Sequence, residues 1–236
     1  MDNKQFEIIQ TIVAMFKAAP GAKYLGEFTI FVNTADGSVA GLANVLANTD
    51  VFKQSMYADT LTNQEFSTQF VESMLGALVS AKNKSWATSE IENMLAAGQG
   101  RGDVIHWAAT ALAAVPSANT DWVAASVQFN NKVDVATHYS VDLGGSASTL
   151  SVLQQVTADV TNLAATVTAA KALFETGVSG NVIDGYVKGA TVFADLNGDG
   201  ILNAGEVSTT TDAFGNFKFP AGATGFGNLI STGGTD

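Results

Sequence analysis

Asp195-Leu196-Asn197-Gly198-Asp199-Gly200-Ile201-Leu202-Asn203-Ala204-Gly205-Glu206 is the stretch of this 236-residue chain whose residue types and spacing point most directly to chemistry. Oxygen-bearing side chains stand at positions 1, 3, 5 and 9, glycine at 6 and glutamate at 12, which is the template of a twelve-residue calcium loop. Calcium takes six to eight oxygens around one point, and alternate residues of a tightly turned loop deliver them. Asp195, Asn197, Asp199 and Asn203 would offer side-chain oxygens, Ile201 its backbone carbonyl, and Glu206 both carboxylate oxygens. Gly200 permits the sharp turn. The competing reading is a solvated Asn-Gly-Asp-Gly turn between strands, which leaves the loop carboxylates repelling one another. Calcium is therefore the expected cofactor. Asp212, a few residues on, is a further carboxylate within reach of the same region.

Other chemistry is poorly supplied. The chain has no cysteine, which removes disulfides, thiolate zinc sites and a cysteine nucleophile together. Its two histidines, His106 and His138, each sit beside an aromatic residue and lack ligand spacing, so a core or surface role is expected. No Ser-His-Asp spacing or paired catalytic carboxylates stand out, and no enzyme is expected. Arg101-Gly102-Asp103 spells the integrin tripeptide but reads better as a helix start, with Asp103 suited to a first turn. Gly144-Gly145 follows no strand and is not a phosphate loop. Eleven basic against twenty-two acidic residues give a net charge of −11, which argues against nucleic acid as a partner. Asp2, Lys4 and Glu7 occupy the place of a cationic signal-peptide start, and Gln10 and Lys17 break the apolar run. No window reaches eighteen apolar residues without a charge, so no transmembrane segment is expected.

The elements that must position the loop divide near residue 177. Before it the periodicity is helical. Phe6, Ile9, Val13 and Phe16 form one amphipathic stripe that stops at Pro20-Gly21. Similar runs cover Leu42–Leu46, Phe66–Leu78, Ile91–Leu95, Val104–Val115 and Trp122–Val133, separated by turn signals at Asp36-Gly37, Thr60–Asn63, Thr88–Glu90, Gly98–Gly102 and Pro116–Asp121. Six to eight short helices in one unit are predicted, with Thr88-Ser89-Glu90 offering an N-cap. After a flexible break at Gly144-Gly145-Ser146, Leu153, Val156, Val160, Leu163, Val167, Ala170 and Phe174 hold a heptad seam. It predicts one long helix, lying across the bundle or pairing with a neighbouring subunit. Beyond Gly177, Val182-Ile183, Tyr186-Val187, Thr191–Phe193, Val207–Thr211 and Phe217–Phe219 are β-prone runs split by turn signals at Asp184-Gly185 and Gly215-Asn216. The fold class expected is α+β in separate domains: an α-helical unit at 1–145, a long linker helix at 146–177, and a small antiparallel β module at 178–236. That module is expected to be incomplete, finished by further chain or by a neighbouring copy.

The flanks of the aspartate loop set its class. An EF-hand needs an entering and an exiting helix, yet Lys188–Phe193 and Val207–Thr211 read as strands. A dockerin would need a second loop and helices. The stretch GATVFADLNGDGILNAGEVSTTTDAFGNFKFP resembles the calcium-binding β-sandwich modules of bacterial surface adhesins, the B-type repeat class. In that class a strand ends in the aspartate loop, and a Thr-rich strand and a Thr-Asp-x-x-Gly turn follow. Thr211, Asp212, Gly215 and Asn216 stand at the turn here. The N-terminal region, through FKAAPGAKYLGEFTIFVN, Leu42–Leu46, Phe52, Met74-Leu75-Gly76, AGQGRGDVI and FNNKVDVATHY, is similar to the helical regions of secreted RTX-type and S-layer proteins. The resemblance implies export by a type I route with a C-terminal signal, hence a cell-surface location without an N-terminal signal peptide.

Together these readings predict a calcium-dependent extracellular structural protein, a surface layer or filament-forming adhesin. Its partners would be neighbouring copies of itself and a cell-envelope polysaccharide, met through the helical domain. An intracellular calcium-binding scaffold and an accessory region of a secreted carbohydrate-active enzyme are the alternatives.

Overall fold

Asp2 accepts the backbone N–H of Gln5 at 2.7 Å, and the Gln5 side chain accepts the Asp2 N–H in return. This reciprocal cap opens α1 (Asn3–Phe16). The computed structural model describes residues 1–34, 37–176, 178–184, 187–219 and 228–235. Every residue from Ile8 to Phe16 is buried. The expected stripe of Phe6, Ile9, Val13 and Phe16 understates this, because α1 is enclosed on all sides. Phe6, at its entrance, stays partly exposed. The helix ends at Lys17, whose left-handed backbone (φ 55°) directs its N–H to the Val13 carbonyl. Pro20-Gly21 is therefore not its stop; Pro20 instead precedes α2 (Gly21–Val32), an element not expected from the sequence.

Six further helices follow: α3 (Val39–Ala47), α4 (Asp50–Ser55), α5 (Asn63–Leu75), α6 (Ala81–Ala96), α7 (Arg101–Ala113) and α8 (Val123–Thr137). Helices α3 to α6 each open on Ser38, Thr49, Thr62 or Ser80, whose hydroxyl accepts the N–H three residues on. The expected cap at Thr88-Ser89-Glu90 is corrected: these residues lie inside α6. Ser89 donates its hydroxyl back to the Ser85 carbonyl, a use that Ser finds within helices.

Arg101-Gly102-Asp103 does start a helix. A side chain at Gly102 would strike the Ala43–Asn44 backbone, so glycine lets α7 press on α3. Asn44 donates its amide to Asp103 at 2.6 Å and accepts the Asp103 N–H at 3.2 Å. Arg101 donates to the Ala58 and Leu61 carbonyls and lies over the Phe66 ring. All three residues are engaged in packing.

After α8 the chain makes a π-helical turn over His138–Asp142. The break expected at Gly144-Gly145 is in fact held firmly. Gly145 is buried, its N–H bonds the Tyr139 carbonyl at 2.9 Å, its carbonyl accepts the Ala22 N–H, and a Cβ there would enter the Tyr139 ring. The single long helix expected over 146–177 is also corrected: it is two helices, α9 (Leu150–Ala158) and α10 (Ala164–Thr176). Between them Val160 is buried, Thr166 accepts the Thr161 N–H, and Thr161 accepts the Leu163 N–H. Side-chain bonds of this kind compete with helix continuation. Of the seam, Leu153, Val156, Val160, Ala170 and Phe174 join the same core as α1, while Leu163 is exposed. The seam thus faces the chain's own interior.

Among the described residues five short strands follow: β1 (Ser179–Asn181), β2 (Thr191–Asp195), β3 (Ser208–Thr210), β4 (Asn216–Lys218) and β5 (Asn228–Thr232). All described pairings are antiparallel, β1 with β4 and, in a second sheet, β3-β2-β5. The strand expected at Val182-Ile183 falls at 179–181 instead, and β5 was not expected. Val192 and Phe219 centre a small core with Val178, Val182, Val207 and Phe217 around it. Asp36 and Gly185 of two expected turns, Tyr186 of an expected strand, and Gly177 at the expected joint lie outside the described residues.

Two measurements check this packing. Gly145→Ala should lower stability by about 1–3 kcal/mol through overpacking against Tyr139, seen as a reduced urea midpoint. His106, on α7, is half-buried and bonded at 3.0 Å through Nδ1 to Thr11, whose hydroxyl donates to the Glu7 carbonyl; the ring is therefore the donor. Burial lowers its pKa, against the opposing pull of Glu7 and Asp103. The unfolded chain then binds a proton that the folded chain resists, so stability falls as pH drops through the ordinary histidine range. The urea midpoint should fall between pH 7.5 and 5.5, and by less in His106→Gln.

Candidate metal centre

β2 is the central strand of its sheet and is buried from Val192 to Asp195. A carboxylate at the end of such a strand must be satisfied locally. Asp195 is 5% exposed. Its Oδ1 accepts the Gly198 N–H at 2.7 Å and its Oδ2 the Gly200 N–H at 3.0 Å. Both glycines take left-handed backbone, φ 77° and 74°, which brings their N–H groups round to the carboxylate.

The remaining loop residues repeat the device. Asn197 Oδ1 accepts the Asp199 N–H at 3.0 Å, and Asp199 Oδ1 accepts the Ile201 N–H at 2.8 Å. Asp199 Oδ2 also receives the amides of Asn197 and Asn203, at 2.9 and 2.8 Å. The Asn203 amide reaches the Ile201 carbonyl as well. Glu206 closes the loop from its far end: Oε1 accepts the Leu196 N–H at 2.9 Å and Oε2 the Asn203 N–H at 2.8 Å. All six residues singled out from the sequence therefore belong to one hydrogen-bonded turn system. In chain order the elements before and after it are strands, β2 and β3, rather than helices.

Among the described residues, no group of three or more Asp, Glu or His side chains is assembled as a metal-ligand cluster. The donor set nonetheless suits a hard cation. Each carboxylate oxygen of Asp195 and Glu206 accepts one N–H, and a carboxylate oxygen has capacity for two partners. All the candidate donors are oxygens, as calcium requires. Among the described residues, no Lys or Arg forms an ion pair with Asp195, Asp199 or Glu206. Hydrogen bonds, chiefly the Ile201 N–H and then the Asn203 and Asn197 amides, hold the exposed Asp199 carboxyl below its ordinary value.

Asp212 has other work. It accepts the N–H groups of Phe214 and Asn216 and the Asn216 amide, closing the β3–β4 turn, with its own pKa lowered by those bonds. The histidines are likewise engaged elsewhere, His106 with Thr11 and His138 with Asp142.

The start of α9 flanks the loop, and this was not legible beforehand. Thr149, Ser151, Val152 and Gln155 face Asn197, Asn203 and Glu206 across a cleft of about 440 Å³. The sequence carries one faint trace of this approach, the polar Ser151/Gln155 pair at i, i+4 beside an otherwise apolar seam.

Comparison with protein-family models, with curated proteins and with solved structures gives no match for this chain. Its functional reading accordingly rests on the loop and the elements around it.

The Asp199 carboxyl should titrate below ordinary aspartate in the metal-free protein, followed by the Ile201 amide shift in NMR spectra. Because the folded pKa is depressed, the loop keeps this stabilisation above the ordinary aspartate value of 3.8 and loses it as pH falls through the lower folded value. Asn203→Ala, which removes one of the donors, should move that titration upward.

Proposed function

We propose that this chain is a calcium-stabilised structural part of an extracellular, cell-surface protein of the S-layer or RTX-like adhesin kind. The observation that carries the reading is the loop itself: a buried aspartate ending a strand, six oxygen donors at calcium-loop spacing, and strands in place of the helices of an EF-hand. Asp195, Asn197, Asp199, the Ile201 carbonyl, Asn203 and Glu206 would hold the ion. When bound, calcium would neutralise the loop's carboxylates and fix the angle at which β2 leaves the sheet. Extracellular modules bind in the range of about 10⁻⁴–10⁻³ M, suited to surroundings rich in calcium.

Self-assembly is the second part of the proposal. β3 and β5 edge a three-stranded sheet, and open edges are templates for further strands. Ile183 and Phe214, 80% and 69% exposed, add apolar surface to the same region. A strand from following chain or from a neighbouring copy would cover such an edge. The helical unit would provide contacts to neighbouring copies and to envelope polysaccharide. The net charge of −11 fits a protein that meets calcium rather than nucleic acid, and no described helix is long and apolar enough to cross a membrane. No enzymatic role is proposed.

Calorimetric titration with calcium chloride tests the loop. The wild-type protein should give a saturable heat that Asp195→Ala and Glu206→Ala abolish, while Asn203→Ala weakens binding less, since position 9 often ligates through water. Magnesium should not compete, because it demands a smaller octahedral site. Equal heats from wild type and Asp195→Ala would remove the loop as the site. For assembly, light scattering in calcium should show mass above the monomer that a chelator reduces, with the helical circular dichroism unchanged. A native protein found in the cytoplasmic fraction would overturn the surface location.

A further inference from the structure

Helices α5, α6 and α7 do not close on one another at one end. They leave a cleft of about 240 Å³ whose fourth side is the turn before α8. All three tryptophans of the chain line it: Trp86 from α6, Trp107 from α7 and Trp122 from the turn. Trp86 and Trp107 are 55% and 41% exposed, and Trp86 meets Trp122 edge to face with ring centroids 5.7 Å apart. The space exists because Ala87, Ala108 and Ala111 face it where larger side chains would fill it. Among the described residues that line the cleft there is no Asp, Glu, Lys, Arg or His, and its polar side-chain groups are the Asn119 amide and the tryptophan indole N–H groups. The Asn119 carbonyl oxygen accepts the Asp121 N–H, which leaves its amide to donate to an acceptor in the cleft.

We propose that this cleft binds an uncharged aromatic small molecule of one or two fused rings, carrying at most one hydrogen-bond acceptor. This is independent of the calcium reading. The size fits: an enclosed apolar cavity of about 150 Å³ takes benzene, and this one is larger by roughly another ring. The chemistry fits, because aromatic partners gain from rings set edge to face or offset at about 4.5–7 Å. A charged ligand would be desolvated without a partner. A sugar would bring several hydroxyl donors, while tryptophan N–H groups only donate and the Asn119 carbonyl oxygen already accepts the Asp121 N–H. A protein partner would need roughly 20–30 residues a side, whereas the exposed lining here is Trp86, Trp107, Ala111 and Asn119.

Because every tryptophan lines the cleft, intrinsic fluorescence of the full chain reports this site. Titration with 1-naphthylamine, a neutral aromatic probe of two fused rings, should quench it saturably at one probe per chain. Ala108→Phe fills the cleft and should weaken binding at least tenfold, with the thermal melt checked in parallel. Ala87→Leu serves the same purpose should Ala108→Phe fail to fold. Non-saturable quenching, or wild-type affinity in a folded filled variant, overturns the proposal. So does a saturable response to glucose or maltose in place of the naphthylamine. Light scattering that shows a dimer dissociated by Trp86→Ala would assign the cleft to a second copy and equally overturn it.

Discussion

Burial of α1 on every side is the constraint around which the helical unit is arranged. Nine consecutive residues, Ile8 to Phe16, are withdrawn from water, and two of them, Gln10 and Thr11, are polar. A helix so enclosed cannot leave its backbone ends or polar side chains to solvent. Thr11 is satisfied by the Glu7 carbonyl and by His106 on α7. The carbonyls at the C-terminal end are met by α9, where Gln154 donates to Phe16 at 2.9 Å and Thr157 to Lys17 at 3.0 Å. The Ala19 N–H reaches the Leu153 carbonyl in the same place. The left-handed turn at Lys17 and the position of α9 are two halves of one solution.

That arrangement explains which parts could be read from the residues alone. Helix starts at Thr62 and Arg101, the aspartate loop and the Asp212–Asn216 turn are local devices, set by side chains bonding backbone a few residues away. Such bonds leave a signature in sequence spacing. The misread elements depend on distant partners, or on side chains that interrupt an otherwise regular pattern. Gly144-Gly145 has the composition of a hinge, yet the Tyr139 ring and Ala22 fix it. The heptad pattern over 153–174 is real as a pattern of burial, but Thr161 and Thr166 divide its helix where α9 must dock on α1. Helix α2 carries apolar residues at its surface, including Ile30 at 72% exposure, so no clean polar face marks it. Strand β5 is mostly exposed and gains its definition from pairing with β2.

The candidate site shows the same split. All six loop positions were evident from spacing, and the hydrogen bonds that join them span a few residues only. The approach of Thr149, Ser151 and Gln155 was not, because residues some fifty positions earlier bring it about through the packing of α9. α9 therefore serves two neighbours at once: Leu153 and Val156 enter the helical core, while Val152 lines the cleft beside Glu206. The loop's own hydrogen bonds, from its backbone N–H groups to the side chains of Asp195, Asn197, Asp199 and Glu206, hold its backbone turned.

The enclosure of α1 also bears on how the molecule is made. During synthesis α1 precedes every element that covers it, and its bonds to His106, Gln154 and Thr157 span 95, 138 and 140 residues of chain. Helices α2, α3, α7 and α8 cover α1 in turn, and its last carbonyls wait until α9 has left the ribosome before they find partners. Contacts this distant slow folding and prolong the exposure of apolar surface. The apolar surface of α1 is thus closed in stages, and the interval before α7 and α8 arrive is when it is most open to non-native contacts.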